Sequence, residues 1–311
     1  MTQALELINN AKYILVVSHI NPDPDTISSA LALSCFLSSA KIKHCVYNKD
    51  VKSFSPLKFL DRFSKISTQL PKFYDLIISV DCGDIKRYGF EPIQGVDIIN
   101  IDHHISNDNY GTVNIVEPNR ASTSEIVYDF FIDNNINISQ NMAEALYVGI
   151  YSDTQAFSTS RVNKKTFDII SSLVDKGANP SRIADLFLRN DSLAKYRALP
   201  RVLDTLTLHK EGKVATIYVT KEDLDETGAL LQECEIALNM VLNIGVVDIA
   251  MFFRVLNNKT RVSIRSKSTD ISSIAQYFGG GGHIYAAGCS IDTIDIDTAI
   301  SMILKEIDER T

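Results

Sequence analysis

The sequence predicts an α/β protein with an N-terminal parallel-sheet domain carrying helices on both faces, a helical connector and a smaller α/β C-terminal domain. Three observations lead there. Short β-branched or apolar runs alternate with segments of helical period through the first half of the chain. Three of those runs end in polar residues, His19, Asp81 and Asp102. At 311 residues the chain is also too long for one average domain and suits two.

In order, residues 13–18 form a β-branched run, 26–39 have helical spacing, and 75–80 and 97–101 are short apolar runs. Such alternation gives a mostly parallel sheet covered by helices. Ligands of open α/β sheets collect beyond the carboxyl ends of the strands, so the three polar ends should converge on one rim. Helical patterns follow at 124–132, 141–151 and 164–176, the last stopped by Gly177 with Pro180 just beyond. Residues 181–208 read as a helical connector, with the domain boundary inside 188–201. The predicted layout is therefore a first domain at 1–187, a connector at 188–204 and a second domain at 205–311. In the second domain, strand-like runs at 214–219, 246–256 and 260–267 precede a glycine cluster and a final helix at 295–309.

Composition narrows the function. A net charge of −7 opposes coating of long nucleic acid, which needs Lys and Arg to displace counterions, but leaves a small anionic substrate open. No run of eighteen residues is free of polar interruption, and residues 1–10 lack a basic flank ahead of an apolar stretch. Neither a membrane nor a secretory route is expected. The five cysteines are odd in number, widely spaced and without a C-x-x-C pair, which argues against a disulfide framework or structural zinc and for a reducing cytoplasm.

The chemistry is concentrated at strand ends. After the first run comes His19-Ile20-Asn21-Pro22-Asp23-Pro24-Asp25, with an imidazole and two carboxylates on a loop entering a helix. These ligand types suit manganese, magnesium or zinc. An Asp ahead of a helix also serves as a cap, and that reading stands beside the first. Further on, Asp81-Cys82-Gly83-Asp84 and Asp102-His103-His104 close two more runs, and an apolar helix finishes in Ser152-Asp153-Thr154. Carboxylates crowded on one rim would repel one another and take up protons unless cations neutralised them. Five Asp and two His therefore argue for two metals. Such a pair, about 3.5 to 4 Å apart, activates a water and stabilises both the attacking and the leaving oxygen of a phosphoester.

The ordered motifs His-x-x-x-Asp-x-Asp, Asp-Cys-Gly-Asp, Asp-His-His and a helix-terminal Asp resemble those of the DHH phosphoesterases. The resemblance implies His19 and Asp23 on one metal, Asp25, His103 and Asp153 on the other, and Asp81 bridging. It implies His104 at the scissile phosphate, assisting the leaving group, and Asp102 orienting its neighbours. Two positions depart from the family pattern, which has Gly where this chain has Pro24 and Ser28. An extended turn at Asp23 would still present both carboxylates.

In the second half, Arg254, Lys259, Arg261, Arg265 and Lys267 form an acid-free basic stretch, with Arg261, Ser263 and Arg265 on one strand face. Gly279-Gly280-Gly281-Gly282-His283 follows, where absent Cβ atoms let backbone N–H groups approach a phosphate. With Ala286-Ala287-Gly288 beyond, this region resembles the DHH-associated C-terminal domain. Members with this layout are similar to oligoribonucleases that degrade very short RNA and dephosphorylate 3′-phosphoadenosine 5′-phosphate. The resemblance assigns substrate binding to Arg265, Gly280, Gly281, Gly282 and His283. Arg120, Ser122 and Ser124, ahead of a helix, are further candidates, although hydroxyls there also act as caps. Cys82 reads as a small buried residue with no paired base.

The expected function is thus a cytoplasmic, manganese-dependent phosphodiesterase and phosphatase. It would act on short RNA and nucleotide bisphosphates, with no long nucleic acid or membrane as partner. An exposed apolar helix would allow a homodimer. A linear or cyclic dinucleotide phosphodiesterase and a non-catalytic nucleotide sensor are the alternatives.

Overall fold

The computed structural model describes residues 2–51, 57–189 and 191–310, with the side chains of Thr2, Leu188 and His283 set aside. The chain divides into two compact units, Met1–Asn190 and Asp191–Thr311.

The first unit is built on a five-stranded parallel sheet. Its strands are β1 (Ile14–Ser18), β2 (His44–Tyr47), β3 (Leu76–Val80), β4 (Asp97–Asp102) and β5 (Val113–Val116), in the order β2-β1-β3-β4-β5. Helix α1 (Thr2–Asn10) precedes the sheet, α2 (Pro24–Ser39) follows β1, and α3 (Thr123–Asp133), α4 (Gln140–Asp153) and α5 (Lys164–Asp175) follow β5. The strands alternate as a sheet buried on both sides requires. Ile14, Val16, Leu76, Ile78, Val80, Ile99 and Ile101 enter the larger core with residues of all five helices. Leu15, Val17, Ile77 and Ile98 face the other way, toward Tyr74 and toward Tyr88 of a 3₁₀ turn at Ile85–Tyr88.

Register positions the site. Ser18 pairs with Val80 and Val80 with Ile101, so the residues one step beyond, His19, Asp81 and Asp102, stand in a row at the carboxyl edge. The central strands supply that row because they run parallel, so that their carboxyl ends lie on one edge.

The segment at 181–208, expected to be a helical connector, falls into separate elements. Helix α6 (Pro180–Ile183) runs into a π turn at Ala184–Leu188, and α7 (Leu193–Asp204) starts afresh. Ser192 caps α7 by accepting from Lys195 N, and Leu208 lies in the next strand. The second unit has a six-stranded mixed sheet of β6 (Thr207–His209), β7 (Val214–Val219), β8 (Ile249–Leu256), β9 (Lys259–Ser266), β10 (Gly281–His283) and β11 (Ala286–Ile291). Their order is β10-β11-β9-β8-β7-β6. On one face, α7, α9 (Leu231–Cys234) and α10 (Ile236–Leu242) cover Ala215, Ile217, Ala250 and Phe252; α8 (Lys221–Thr227) leads into them. On the other, α11 (Ser272–Tyr277) and α12 (Ile296–Arg310) cover Met251, Phe253, Val262 and Ile264. Among the described residues no helix is long and apolar enough to cross a membrane. All five cysteines are free thiols.

Candidate metal centre

Each motif is positioned by local structure. Beyond β1, His19 is buried, and its Nδ1 lies 2.7 Å from the Ile20 carbonyl oxygen. A proton on Nδ1 satisfies that oxygen and leaves the Nε2 lone pair for a metal. Nε2 faces Asp23 Oδ2 at 3.4 Å and Asp81 Oδ2 at 3.7 Å. Asp23 is also the N-cap of α2, its Oδ1 accepting from Thr26 N at 2.9 Å. One carboxylate therefore satisfies both readings of the first motif, one oxygen for each. Pro24 is the first helical residue, where its fixed φ is the helix's own and its missing N–H costs nothing.

Asp25 is fully enclosed. Its Oδ2 accepts from Thr123 N at 2.7 Å and its Oδ1 from Ser124 N at 3.1 Å, both at the N-terminus of α3. Gly149 of α4 makes this approach feasible, because a Cβ there would lie 2.0 Å from Ser124 Oγ and 2.6 Å from Asp25 Oδ1. Asp81 occupies the left-handed region at φ 55°, a conformation that Asp tolerates better than most residues. It turns its carboxylate between two histidines, with Oδ2 toward His19 and Oδ1 3.6 Å from His103 Nε2. Thr123 Oγ1 donates to the same Oδ1 at 2.8 Å. His103 Nδ1 points to the Arg120 carbonyl oxygen at 3.3 Å, and Nε2 lies 3.4 Å from Asp153 Oδ2 at the end of α4.

Ligand atoms of His19, Asp23 and Asp81 thus gather on one side of Asp81, and those of Asp25, His103 and Asp153 gather as a second group. Asp81, His103 and His104 are also close enough to form a third. Hydrogen bonding decides against His104 as a ligand through Nδ1, since that atom lies 2.7 Å from Asp102 Oδ1 and is engaged there. Asp102 also accepts from His103 N at 2.8 Å and His104 N at 3.2 Å, and Asn107 Nδ2 donates to its other oxygen.

Without cations, protons neutralise this crowd. Burial, reinforced by Asp81 and Asp153, raises the Asp25 carboxyl well above its ordinary range. Burial likewise raises Asp153 to about 6, against the pull of His103. For His19 burial works downward, but the bonds to Asp23 and Asp81 win and lift it to about 10. Burial would raise Asp81, yet His19, His103 and His104 together hold it below the usual carboxylate range. Two oxygen-rich groups with one imidazole each, meeting at a shared carboxylate, fit hard to borderline divalent ions.

The remaining predicted residues are placed less uniformly. Ser122 caps α3 by accepting from Glu125 N, and Ser124 Oγ pairs with Ser29 Oγ at 2.9 Å. Arg120 is committed to Glu117 at 2.7 Å and to Asp129. Arg120, Ser122 and Ser124 are thus each engaged by partners within the first unit. The α3 N-terminus does bind an anion, as helix N-termini do, but the anion is the Asp25 carboxylate.

In the second unit, Arg265 is half-buried and donates to the Ile264 carbonyl at 3.0 Å. Gly280 approaches β11 so closely that a Cβ would lie 2.1 Å from Gly288 O, and one on Gly282, at φ 145°, would lie 2.4 Å from Ala286 O. Gly281 is exposed with open space where a Cβ would be. The backbone of His283 belongs to β10, and its side chain lies outside the described residues. A cavity of about 230 Å³ lies nearby, lined by Arg254, Arg261, Ser263, Gly280, Gly288 and Ser290. Cys82 is buried, its thiol pushed up to about 12 by burial, as an inert packing residue should be.

Sequence reasoning missed Asn107 and Gly149, which act only through space.

The class defined by this sheet and site is that of the DHH proteins. Residues 13–150 match the DHH family N-terminal domain and 197–309 match the DHHA1 domain. The chain belongs to the DHH family. It is 30% identical over 310 residues to a Streptococcus mutans protein named "Probable bifunctional oligoribonuclease and PAP phosphatase NrnA", covering 94% of both chains. It is 28% identical over 305 residues to the Thermus thermophilus bifunctional oligoribonuclease and PAP phosphatase NrnA, covering 95% of this chain and 89% of that one. Among solved structures, an exopolyphosphatase-related protein from Bacteroides fragilis superposes with a TM-score of 0.89 at 26% identity, covering 98% of this chain and 95% of that one.

Proposed function

We propose that this protein hydrolyses short oligoribonucleotides to mononucleotides and removes phosphate from 3′-phosphoadenosine 5′-phosphate, with two manganese ions at the rim of the first sheet. The observation that carries the proposal is the Asp81 carboxylate, one oxygen facing His19 and the other His103, with a separate carboxylate completing each side. Names and near-complete coverage of the Streptococcus and Thermus relatives support the substrate class.

When bound, the ions would supply a water acidic enough to attack phosphorus and positive charge for the phosphate oxygens. His19, Asp23, Asp25, Asp81, His103 and Asp153 would hold them. The chain's own groups perform the rest. The Ile20 and Arg120 carbonyls fix the Nδ1 protons of His19 and His103, so both rings present Nε2 to the site. Asp102 holds the His104 ring by Nδ1, and Nε2 would carry a proton to the departing oxygen. Burial opposes the charge of His104, but the Asp102 bond outweighs it and raises the ring above its ordinary value, toward the protonated form an acid needs.

We assign residues 1–187 to this chemistry, 188–204 to a connector and 205–311 to substrate capture through Arg265, Gly280 to Gly282 and His283. The cavity walled by Arg254 and Arg261 supports an anion in the second unit. Free thiols throughout support a reducing cytoplasm. The test is incubation with manganese and RNA of two to five residues, and separately with the bisphosphate, scored by chromatography. Release of mononucleotide and of inorganic phosphate is expected. Inactivity on both substrates would refute the assignment, and activity confined to a dinucleotide would favour a dinucleotide phosphodiesterase.

A further inference from the structure

Two arginines flank the candidate metal centre, and neither figures in the roles described so far. Arg87 lies on the 3₁₀ turn after β3, and its Nη2 is 3.1 Å from His19 Nδ1. Arg161 lies beyond α4, and its Nη1 is 3.5 Å from His103 Nδ1. Neither contact satisfies the guanidinium. Each Nδ1 already faces a backbone carbonyl, that of Ile20 or of Arg120, and a ring nitrogen that donates its proton there has no lone pair left to accept another. If Nδ1 accepted from the arginine instead, the proton would sit on Nε2 and the metal-facing edge would be blocked. Metal ligation through Nε2 and a hydrogen bond from the arginine to Nδ1 are thus mutually exclusive at both histidines. Among the described residues, neither Arg87 nor Arg161 has a carboxylate within ion-pairing distance, whereas Arg120 has three.

The placement is symmetric about Asp81. His19 and His103 stand on its two oxygens, and each carries its arginine on the outer edge of the ring. Arg87 is held firmly, since its carbonyl accepts from Ile20 N at 2.8 Å and its amide donates to Asp84 O at 2.9 Å. Arg161 is exposed, on the segment that follows three successive left-handed residues, Gln155, Ala156 and Phe157, with φ of 47°, 57° and 65°. Those residues turn the chain back sharply after Asp153 at a backbone cost that L residues seldom bear.

Charge gives the pair a purpose. The carboxylates of Asp23, Asp25, Asp81 and Asp153 would cancel two divalent ions and Asp102 would cancel a protonated His104, leaving the guanidiniums as the uncompensated charge at the rim. Planar guanidinium donors match phosphate oxygens in pairs. We propose that Arg87 and Arg161 bracket the metal pair as phosphate-binding residues, holding the oxygens of a phosphate ester that the metals leave uncoordinated. This rests on the proposed function for the ester but not for the anion site itself, which would take inorganic phosphate alone.

The experiment uses the full chain loaded with manganese, with Arg87→Gln, Arg161→Gln, the double variant and the two Arg→Lys variants. Equilibrium binding of inorganic phosphate is measured by calorimetry, manganese binding by electron paramagnetic resonance, and KM and kcat with 3′-phosphoadenosine 5′-phosphate. Each Gln variant should weaken phosphate binding about tenfold, as loss of a charge-assisted hydrogen bond does, and raise KM by a similar factor. Manganese stoichiometry and affinity should stay as in the parent, and Lys should restore part of the phosphate affinity. Unchanged phosphate binding in the double variant overturns the inference. So does loss of manganese in step with phosphate, which would make the arginines supports of the histidines. Phosphate binding that depends on the arginines in a protein inactive on both nucleotide substrates would uphold the inference and refute the proposed function alone.

Discussion

Replacing Asp102 by Asn tests whether this residue works as a positioning group for His104. The substitution keeps shape and volume but removes the charge that four donors share, namely His103 N, His104 N, His104 Nδ1 and Asn107 Nδ2. The bond at stake is the 2.7 Å contact between Asp102 Oδ1 and His104 Nδ1. A hydrogen bond to a charged partner is worth about 1.5–3 kcal/mol, and about 1.4 kcal/mol is tenfold in rate, so kcat should fall about 10- to 100-fold. KM and manganese binding should change little, because Asp102 lies outside both ligand groups. The pH profile adds a signature that a loosened fold would not give. Asp102 helps raise His104, and an acid must be protonated to act, so the alkaline limb of kcat should move to lower pH in the variant. Steady-state kinetics from pH 5 to 9 would settle it. A variant with parental kcat, or with reduced kcat but an unmoved alkaline limb, would refute this role for Asp102.

Three further predictions follow from the same geometry. Gly149→Ala would put a methyl 2.0 Å from Ser124 Oγ and 2.6 Å from Asp25 Oδ1; overpacking of about 1–3 kcal/mol should outweigh a helix-propensity gain of about 1 kcal/mol or less, so melting temperature and manganese affinity should both fall, whereas a gain in either would contradict the packing account. Ser28→Ala removes a buried hydroxyl that has no hydrogen-bond partner among the described residues, in mid-helix, and should stabilise by about 1 kcal/mol in denaturant titration; destabilisation would mean the hydroxyl has work to do. In the metal-free protein the raised Asp153 contributes stability below its ordinary range that is lost as pH rises through about 6, and the raised His19 contributes stability below about 6.5 that is lost toward about 10. Since metals need these groups deprotonated, stabilisation by manganese should be small at pH 5 and grow through pH 8, and a pH-independent shift in melting temperature would contradict it.

What the sequence disclosed depended on how far each signal reached along the chain. β1, β3 and β4 were legible because each is a compact apolar run ending in a ligand type. β2 and β5 were not, being edge strands of four residues whose polar positions resemble loop. The helices around residues 221–242 and 272–277 went unread because they span seven residues or fewer, too short for a period to declare itself. The break before α7 is written in the run Asn190-Asp191-Ser192, residue types that favour turns and caps, with Ser192 as the cap. Within the site, every metal-ligand candidate was visible as a residue type at a strand or helix end. Asn107, Gly149, Arg87 and Arg161 were not, since Asn107 reaches Asp102 only through the turn after it and the others acquire their roles from neighbours dozens of positions away. Arg120 shows the converse. Its position ahead of a helix suggested phosphate, and in the fold its guanidinium pairs with Glu117 and Asp129.

The central claim is that Asp81 joins two metal positions. Anomalous diffraction from crystals grown with manganese tests it most directly. The account predicts two peaks, one beside His19 and Asp23 and the other beside Asp25, His103 and Asp153, with an Asp81 oxygen bound to each. A single ion, or two ions that Asp81 does not touch, would contradict it.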